Sequence, residues 1–138
     1  MRINKLNQLP EVADQIIGMG KDYHVWLLQG DMGAGKTTLT KAIGEKLKVL
    51  DTISSPTYAL VNEYLTKDDK TIYHFDFYRL EQEVEALDMG WYEYLDSGNL
   101  CIIEWPQKIS NLLPETFLNI SISQGEGEER IFKISAHE

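Results

Sequence analysis

Eight consecutive residues of this chain have the types and the spacing that hold a nucleoside triphosphate. Segment 30–37 reads G-D-M-G-A-G-K-T and fits the phosphate-loop pattern G-x-x-x-x-G-K-[ST] at every fixed position. Glycines let the backbone approach a phosphate without a Cβ in the way. The loop amides and the N-terminus of a following helix direct partial positive charge at the anion. Lys36 adds a full charge for the outer phosphates, and Thr37 offers a hydroxyl to Mg²⁺.

The residues on both sides of this loop favour a functional interpretation. An apolar run over 25–28 leads into the loop, and a helical pattern over 38–47 follows it. This is the strand–loop–helix context that the motif requires, whereas the alternative is a glycine-rich turn without chemical meaning. The residues predicted to contact the nucleotide are Asp31, Met32, Gly33, Ala34, Gly35, Lys36, Thr37 and Thr38.

Two predicted strands end in acids. Asp76 follows Tyr73-His74-Phe75, and Glu104 follows an apolar run over 100–103. Hydrolysis of a triphosphate needs an acid for the metal and a group that positions the attacking water. Asp76 is expected to hold Mg²⁺ directly or through water, and Glu104 to do the same or to orient the water. The alternative for each is an exposed acid at a strand end, and their joint occurrence after a phosphate loop favours function.

Three further residues have two readings each. Thr57, in Ser55-Pro56-Thr57, could give the metal a hydroxyl when triphosphate is bound, as a switch loop does, but a plain turn is the simpler reading. His74 is more often a satisfied structural residue than a catalyst. Trp105 either packs beside the nucleotide or belongs to the core.

Composition limits the class of protein and its partners. The 138 residues predict a single domain over 1–138. The formal net charge of −9, with scattered lysines and an acidic cluster over 81–88, disfavours direct RNA binding and leaves a basic protein partner open. Cys101 is the only cysteine. No signal peptide or membrane span is recognisable, so we expect a cytoplasmic protein with no membrane partner.

The hydrophobic patterns predict an α/β fold of the P-loop NTPase kind. A mainly parallel central sheet is flanked by helices on both faces, and antiparallel hairpin strands are added near an edge. The nucleotide should lie at the carboxyl ends of the strands. The predicted helices are 10–17, 38–47, 81–88, 91–95 and 107–113; the predicted strands are 25–29, 58–64 paired with 71–77, 100–104, and 118–123 paired with 130–136.

Four segments in this order resemble the TsaE family of bacterial P-loop ATPases. They are the loop over 30–38, S-P-T over 55–57, H-F-D-F-Y-R-L over 74–80 and I-E-W-P over 103–106. The segments over 74–80 and 103–106 are more specific to this family than the phosphate loop is. The likeness extends from the first helix to Pro106, and Gln107 stands where many relatives have an acid.

This resemblance implies an ATP- and Mg²⁺-dependent subunit in the threonylcarbamoyl modification of the tRNA adenosine next to the anticodon. The implied partners are TsaD-like and TsaB-like proteins, and tRNA is met only through that complex. Lys36 and Thr37 would serve phosphate and Mg²⁺, with Lys36 counted among the catalytic residues. Thr57 would belong to the first switch, Asp76 to the metal site and Glu104 to hydrolysis. Which of the two acids binds the metal directly stays open.

Two other function classes compete with this reading. A small-molecule kinase would need an acceptor pocket, usually with arginines and a lid, and the chain has only Arg2, Arg79 and Arg130. A GTPase-like switch would need the guanine-reading N-K-x-D, which is absent from the sequence, so adenine is favoured.

Overall fold

A single β-sheet contains every strand of the described residues. The computed structural model describes residues 1–31, 33–53 and 60–138. The strands are β1 (Arg2–Ile3), β2 (Val25–Gln29), β3 (Val61–Leu65), β4 (Thr71–Asp76), β5 (Leu100–Glu104), β6 (Phe117–Gln124) and β7 (Arg130–His137). The helices are α1 (Leu9–Met19), α2 (Lys36–Lys46), α3 (Glu83–Asp88) and α4 (Trp91–Asp96), with 3₁₀ segments at Leu6–Gln8 and Pro106–Leu112.

The four central strands of the sheet are parallel and its edges are antiparallel. The spatial order is β1-β7-β6-β2-β5-β4-β3. Strands β6, β2, β5 and β4 run parallel, while β3, β7 and β1 each pair antiparallel with their neighbours. The predicted α/β class with a parallel core and added hairpin strands is therefore confirmed.

Alternation along the strands gives the sheet two different faces. In β4, Ile72, His74 and Asp76 point to one side, because successive side chains of a strand alternate, and Tyr73 and Phe75 point to the other. The first side packs on α1 and α2, through residues such as Trp26, Leu28, Leu39, Ile43 and Ile102. The second side packs on α3, α4 and the segment Pro106–Leu112, through residues such as Phe75, Trp91, Ile103 and Ile109.

Several element boundaries differ from the sequence-based expectations. Helix α2 begins at Lys36 rather than at residue 38, because the helix ladder already starts at the loop, where the Leu39 N–H donates to the Gly35 carbonyl (2.9 Å). The helix expected over 107–113 is a 3₁₀ segment, and Ile109 has non-helical φ and ψ of −128° and 35° inside it. Strand β3 begins at Val61, and residues 58–59 of the expected strand lie outside the described residues.

The strands at the far edge were only partly anticipated. Strands β6 and β7 form the expected hairpin, but β6 also joins the parallel core beside β2. The two-residue strand β1 was not predicted, and it pairs with β7 through Arg2 and Ile3. Cys101 is buried as expected, and burial raises the pKa of its thiol to about 12. In the described parts of the chain, no helix has the length and apolar character needed to cross a membrane.

Candidate active site

The phosphate-loop segment lies between the end of β2 and the start of α2. Gly33 and Gly35 have φ values of 82° and 111°, a left-handed backbone that glycine adopts without steric cost. The Ala34 N–H donates to the Asp31 carbonyl (3.0 Å) and closes the turn. The loop therefore ends at the first turn of α2, and the N-terminal end of a helix is suited to bind an anion.

The Lys36 side chain is folded back over the loop. Its Nζ donates to the Gly30 carbonyl at 2.7 Å and lies 3.8 Å from the ring centroid of Trp105. Burial lowers the pKa of Lys36, while the carboxylates of Glu104, Asp76 and Asp31 act in the opposite direction. The ammonium group thus rests on a neutral carbonyl and an aromatic face, contacts that a phosphate oxygen can replace.

Parallel pairing of β4 and β5 puts the two predicted acids side by side. Asp76 and Glu104 are partners in the register of these strands, and both face the α2 side. A cavity of about 320 Å³ opens between them and the loop. It is lined by Gly33, Gly35, Lys36, Thr37, Thr38, Asp76, Tyr78, Glu104 and Trp105. The structure therefore brings both acids, Lys36 and Thr37 into one site.

The two carboxylates differ in their surroundings. Burial raises the pKa of Asp76, and the nearby Glu104 adds to that rise; a hydrogen bond from the Tyr78 N–H to Oδ1 (3.0 Å) opposes it, as do Lys36 and His74. Glu104 is 3% exposed, and its Oε2 lies 2.5 Å from Nε2 of the fully buried His74. His74 is thus a satisfied core residue, as expected, but the group that satisfies it belongs to the site.

The donor set suits Mg²⁺ bound together with a triphosphate. Mg²⁺ prefers oxygen, and it is usually held by one or two carboxylates plus substrate phosphates and waters. Thr37 offers a hydroxyl, and Asp76 and Glu104 offer carboxylates, on the wall of the same cavity. No group of three or more His, Cys, Asp or Glu side chains suited to a metal occurs within residues 1–31, 33–53 and 60–138. Two carboxylates and a hydroxyl on one wall are a donor set that phosphate oxygens and waters would complete around Mg²⁺.

Trp105 has a left-handed backbone although it is not a glycine. Its φ and ψ are 58° and 51°, a conformation that costs on the order of 1–3 kcal/mol for a residue other than glycine, and Lys48 and Asp69 adopt it elsewhere in the chain. The following Pro106 disfavours the right-handed helical region for this residue. This turn places the indole over Lys36 and 5.0 Å from the ring of Tyr78. Trp105 therefore belongs to both places: it is partly buried against the core that contains Phe75 and Trp91, and it also lines the site cavity.

Two residues of the β6–β7 hairpin contact the phosphate loop and were not predicted from the sequence. Gln124 Nε2 donates to the Gly33 carbonyl (2.8 Å), and Arg130 Nε donates to the Ala34 carbonyl (3.1 Å). Their distance from the motif in sequence hides them, because only the pairing of β6 with β2 brings the hairpin to the loop. A second cavity of about 430 Å³ lies on this β6 side, with Gln29, Gly30, Asp31, Ala34, Ser121, Ile122, Ser123 and Gln124 on its wall.

Two of the predicted site residues lie outside the described residues. They are Met32 of the loop and Thr57 of the predicted switch segment 55–57. Their expected roles stay predictions.

The comparisons with known proteins decide the family. A family model described as "Threonylcarbamoyl adenosine biosynthesis protein TsaE" matches residues 3–132. This chain belongs to the TsaE family. The matched region contains the phosphate loop, both strand-end acids and the hairpin residues that support the loop.

Curated TsaE proteins are similar to this chain over most of its length. The Bacillus subtilis "tRNA threonylcarbamoyladenosine biosynthesis protein TsaE" is 36% identical over 125 residues, which cover 91% of this chain and 77% of that protein. The Haemophilus influenzae TsaE is 43% identical over 95 residues, or 69% of this chain and 60% of that protein. The Rickettsia bellii TsaE is 36% identical, with 96% of this chain and 92% of that protein covered.

A solved structure agrees with the TsaE assignment at the level of the fold. The crystal structure of Bacillus subtilis YdiB superposes with a TM-score of 0.74 at 28% identity. The match covers 99% of this chain and 83% of that one. The arrangement of strands and helices described above is therefore shared along almost the whole chain.

Proposed function

We propose that this TsaE-family chain is the ATP-binding and ATP-hydrolysing subunit required for threonylcarbamoyl modification of the tRNA adenosine next to the anticodon. One observation carries the enzymatic part: Lys36, Asp76 and Glu104 converge on the cavity at the phosphate loop. Positioning and electrostatic stabilisation account for most of the catalysis in phosphoryl transfer. A loop, a cation and two acids at one edge of the sheet are the parts which that chemistry needs.

The roles of the site residues follow from their places, and the direct Mg²⁺ ligand stays open between Asp76 and Glu104. The loop amides and Lys36 bind the β- and γ-phosphates, and Thr37 with Asp76 or Glu104 holds Mg²⁺. When bound, Mg²⁺ neutralises charge on the phosphate oxygens. Glu104 orients the attacking water, because it is the more enclosed of the two acids and its Oε2 is fixed by His74.

The nucleoside is assigned to the second cavity, on the β6 side of the loop. Its wall contains the loop residues Gly30, Asp31 and Ala34, whereas Gly33, Gly35 and Lys36 of the same loop line the phosphate site. Its volume of about 430 Å³ is within the range of small-molecule pockets. A triphosphate lying along the loop would then join a base near Ser121 and Ser123 to a γ-phosphate near Lys36.

Replacement of Lys36 tests the nucleotide assignment. Lys36→Ala removes a charged donor to phosphate, and hydrogen bonds to charged groups contribute about 1.5–3 kcal/mol. ATP affinity should fall by about tenfold to a hundredfold, with an unchanged far-UV circular dichroism spectrum. The matched control is Lys41→Ala, an exposed lysine of the same helix, which should bind ATP like the wild type. Equal affinity in a folded Lys36→Ala protein would contradict the assignment.

The proposed partners are TsaD-like and TsaB-like proteins. No lysine or arginine lies between Arg79 and Lys108, so α3 and α4 form an acidic region. Glu83 is engaged by Asn111, and Glu85 accepts from the backbone N–H groups at the start of its own helix. The exposed Val84 and Leu87 lie on the same helix. This region would suit a partner surface that is basic around an apolar centre.

Partner binding should depend on the nucleotide state. A nucleotide can shift assembly only if the partner binds one state more tightly than the others. We expect tighter binding of the TsaD–TsaB pair with ATP than with ADP or no nucleotide, together with altered turnover. The double variant Glu81→Lys, Asp88→Lys should bind the TsaD–TsaB pair more weakly. The control is Asp22→Lys, at an exposed acid before β2, and it should bind the pair like the wild type. Equal affinity in all three states, with unchanged turnover, would contradict this part of the proposal.

A further inference from the structure

A buried histidine lies directly behind the site and makes its strongest contact with a site acid. His74 is fully buried in β4, and its Nε2 is 2.5 Å from Oε2 of Glu104. It shares the α2-facing side of the strand with Asp76. This imidazole does not line the cavity, and Glu104 is the site residue to which it is hydrogen-bonded.

The same imidazole is held from the edge strand. The Tyr64 hydroxyl lies 3.5 Å from Nδ1 of His74, and Asn62 Nδ2 donates to that hydroxyl at 3.2 Å. Each donor in this row can point the same way: amide to hydroxyl, hydroxyl to Nδ1, and Nε2–H to carboxylate. The imidazole tautomer that carries its proton on Nε2 makes both ring contacts.

We infer that His74 is a positioning residue for the hydrolytic step: it holds Oε2 of Glu104, so that the other carboxylate oxygen is presented to the site. This inference rests on the proposed ATPase function. A carboxylate without such a donor can rotate, and a reacting group must be held within about 0.5 Å of its productive position. On the other side of the ring, the Tyr64 hydroxyl lies near Nδ1 of His74 and is itself bonded to Asn62.

Packing of the core does not explain why His74 and Glu104 are buried together. A buried ionisable pair is weak evidence for stability, because well-packed apolar residues of similar volume often serve as well. The neighbouring positions on the same face, Ile72 of β4 and Ile102 of β5, are such apolar residues. The polar pair occurs where the strands reach the phosphate loop, which is the place where orientation of an acid matters.

Two replacements of His74 separate positioning from packing. His74→Leu keeps the volume and removes the donor, whereas His74→Gln retains an N–H near the place of Nε2. Single-turnover ATP hydrolysis should fall at least tenfold in His74→Leu and recover to within about threefold of wild type in His74→Gln. ATP affinity should stay within about twofold in both. His24→Leu, at the opposite end of the sheet, is the matched control and should hydrolyse normally.

A combined variant gives the decisive comparison. In a Glu104→Gln background, His74→Leu should cause no further loss of hydrolysis, because the residue acts through that acid. A wild-type rate in His74→Leu would overturn the inference, as would a full additional loss in the combined variant or failure of His74→Gln to recover. These outcomes leave the ATPase proposal standing. A wild-type chain that releases no phosphate, alone or with its partners, would overturn both.

Discussion

The two faces of strand β4 contact different regions of the molecule: one face packs in an aromatic core, and the other, the charged face, carries ionisable side chains of the site. On one face, Phe75 packs edge-to-face against Trp91 and Tyr94, with ring centroids 5.1 and 5.2 Å apart. On the other, His74 and Asp76 point toward Glu104 and the phosphate loop. A strand places successive side chains on opposite faces, so stability and chemistry occupy alternate residues of one short segment.

The two faces also differ in how many polar or charged side chains they bury. Buried polar groups cost free energy unless they are well paired. The described residues bury five polar or charged side chains, and three of them lie in or behind the site: Lys36, His74 and Glu104. The aromatic face has no such cost and provides the rigid support. Each of the following changes affects one face and leaves the other as its control.

Removal of the central aromatic ring should have the largest effect on stability. Phe75→Ala deletes a fully buried ring that contacts four other aromatic residues. The free energy of unfolding should fall by about 3–5 kcal/mol, because such truncations leave a cavity. Equilibrium urea unfolding measures it. A loss below about 1 kcal/mol would mean that this face does not support the fold as described.

Replacement of Asp76, next to Phe75 in β4, should weaken nucleotide binding without lowering stability. Asp76→Asn should lower Mg²⁺-dependent ATP affinity by about tenfold or more, since it removes a carboxylate charge from the proposed metal site. Because burial raises the pKa of Asp76, the fold favours the protonated form, and stability decreases as the pH rises above the ordinary carboxyl value.

The Asn variant should therefore be at least as stable as the wild type at pH 7. Titration calorimetry and urea unfolding measure the two effects, with the exposed Asp96→Asn as control. A clear loss of stability in Asp76→Asn would contradict the proposed division between the faces.

Trp105 should report the site without changing the fold. Trp26 and Trp91 are 3% and 0% exposed in the two cores, whereas Trp105 is partly buried at the edge of one core and lines the site cavity, with the Lys36 ammonium over its ring. Addition of Mg²⁺ and ATP should change tryptophan emission in the wild type, and this change should be lost in Trp105→Phe. If the emission change persists in Trp105→Phe, it must come from Trp26 or Trp91. That result would contradict the prediction that nucleotide binding is reported by Trp105 at the site.

The thiol of the aromatic face should show almost no reactivity. Burial raises the pKa of Cys101 to about 12, so at pH 8 the folded chain keeps it protonated, and the thiolate is the reactive form. Labelling by a disulfide reagent should be very slow in the native chain and fast in urea. Rapid labelling of the native chain would show that this side of the sheet opens readily.

Local patterns in the sequence were enough to predict much of the fold. The continuous apolar run before Glu104 predicted β5 with the bounds that the structure has, because a buried parallel strand is apolar on both faces. The phosphate loop predicted the junction of β2 and α2, because its glycines and lysine have fixed roles there. The acids Asp76 and Glu104 were recognisable as strand ends.

The remaining features depend on contacts between distant residues. Strand β1 has two residues and exists only through its pairing with β7. Arg130 and Gln124 reach the loop across more than 90 residues of sequence. His74 has no local signal that distinguishes a core histidine from one that contacts Glu104, since that contact arises from the pairing of β4 with β5.

Glu104→Gln is the most direct test of the central claim that the charged face of the sheet hydrolyses ATP. The variant keeps the shape of the side chain and removes the charge that orients water. Phosphate release in single turnover and ATP affinity should be measured on the same protein samples. We predict affinity within a few fold of wild type and hydrolysis reduced by about a hundredfold or more. Hydrolysis at the wild-type rate in the Glu104→Gln protein would contradict the account.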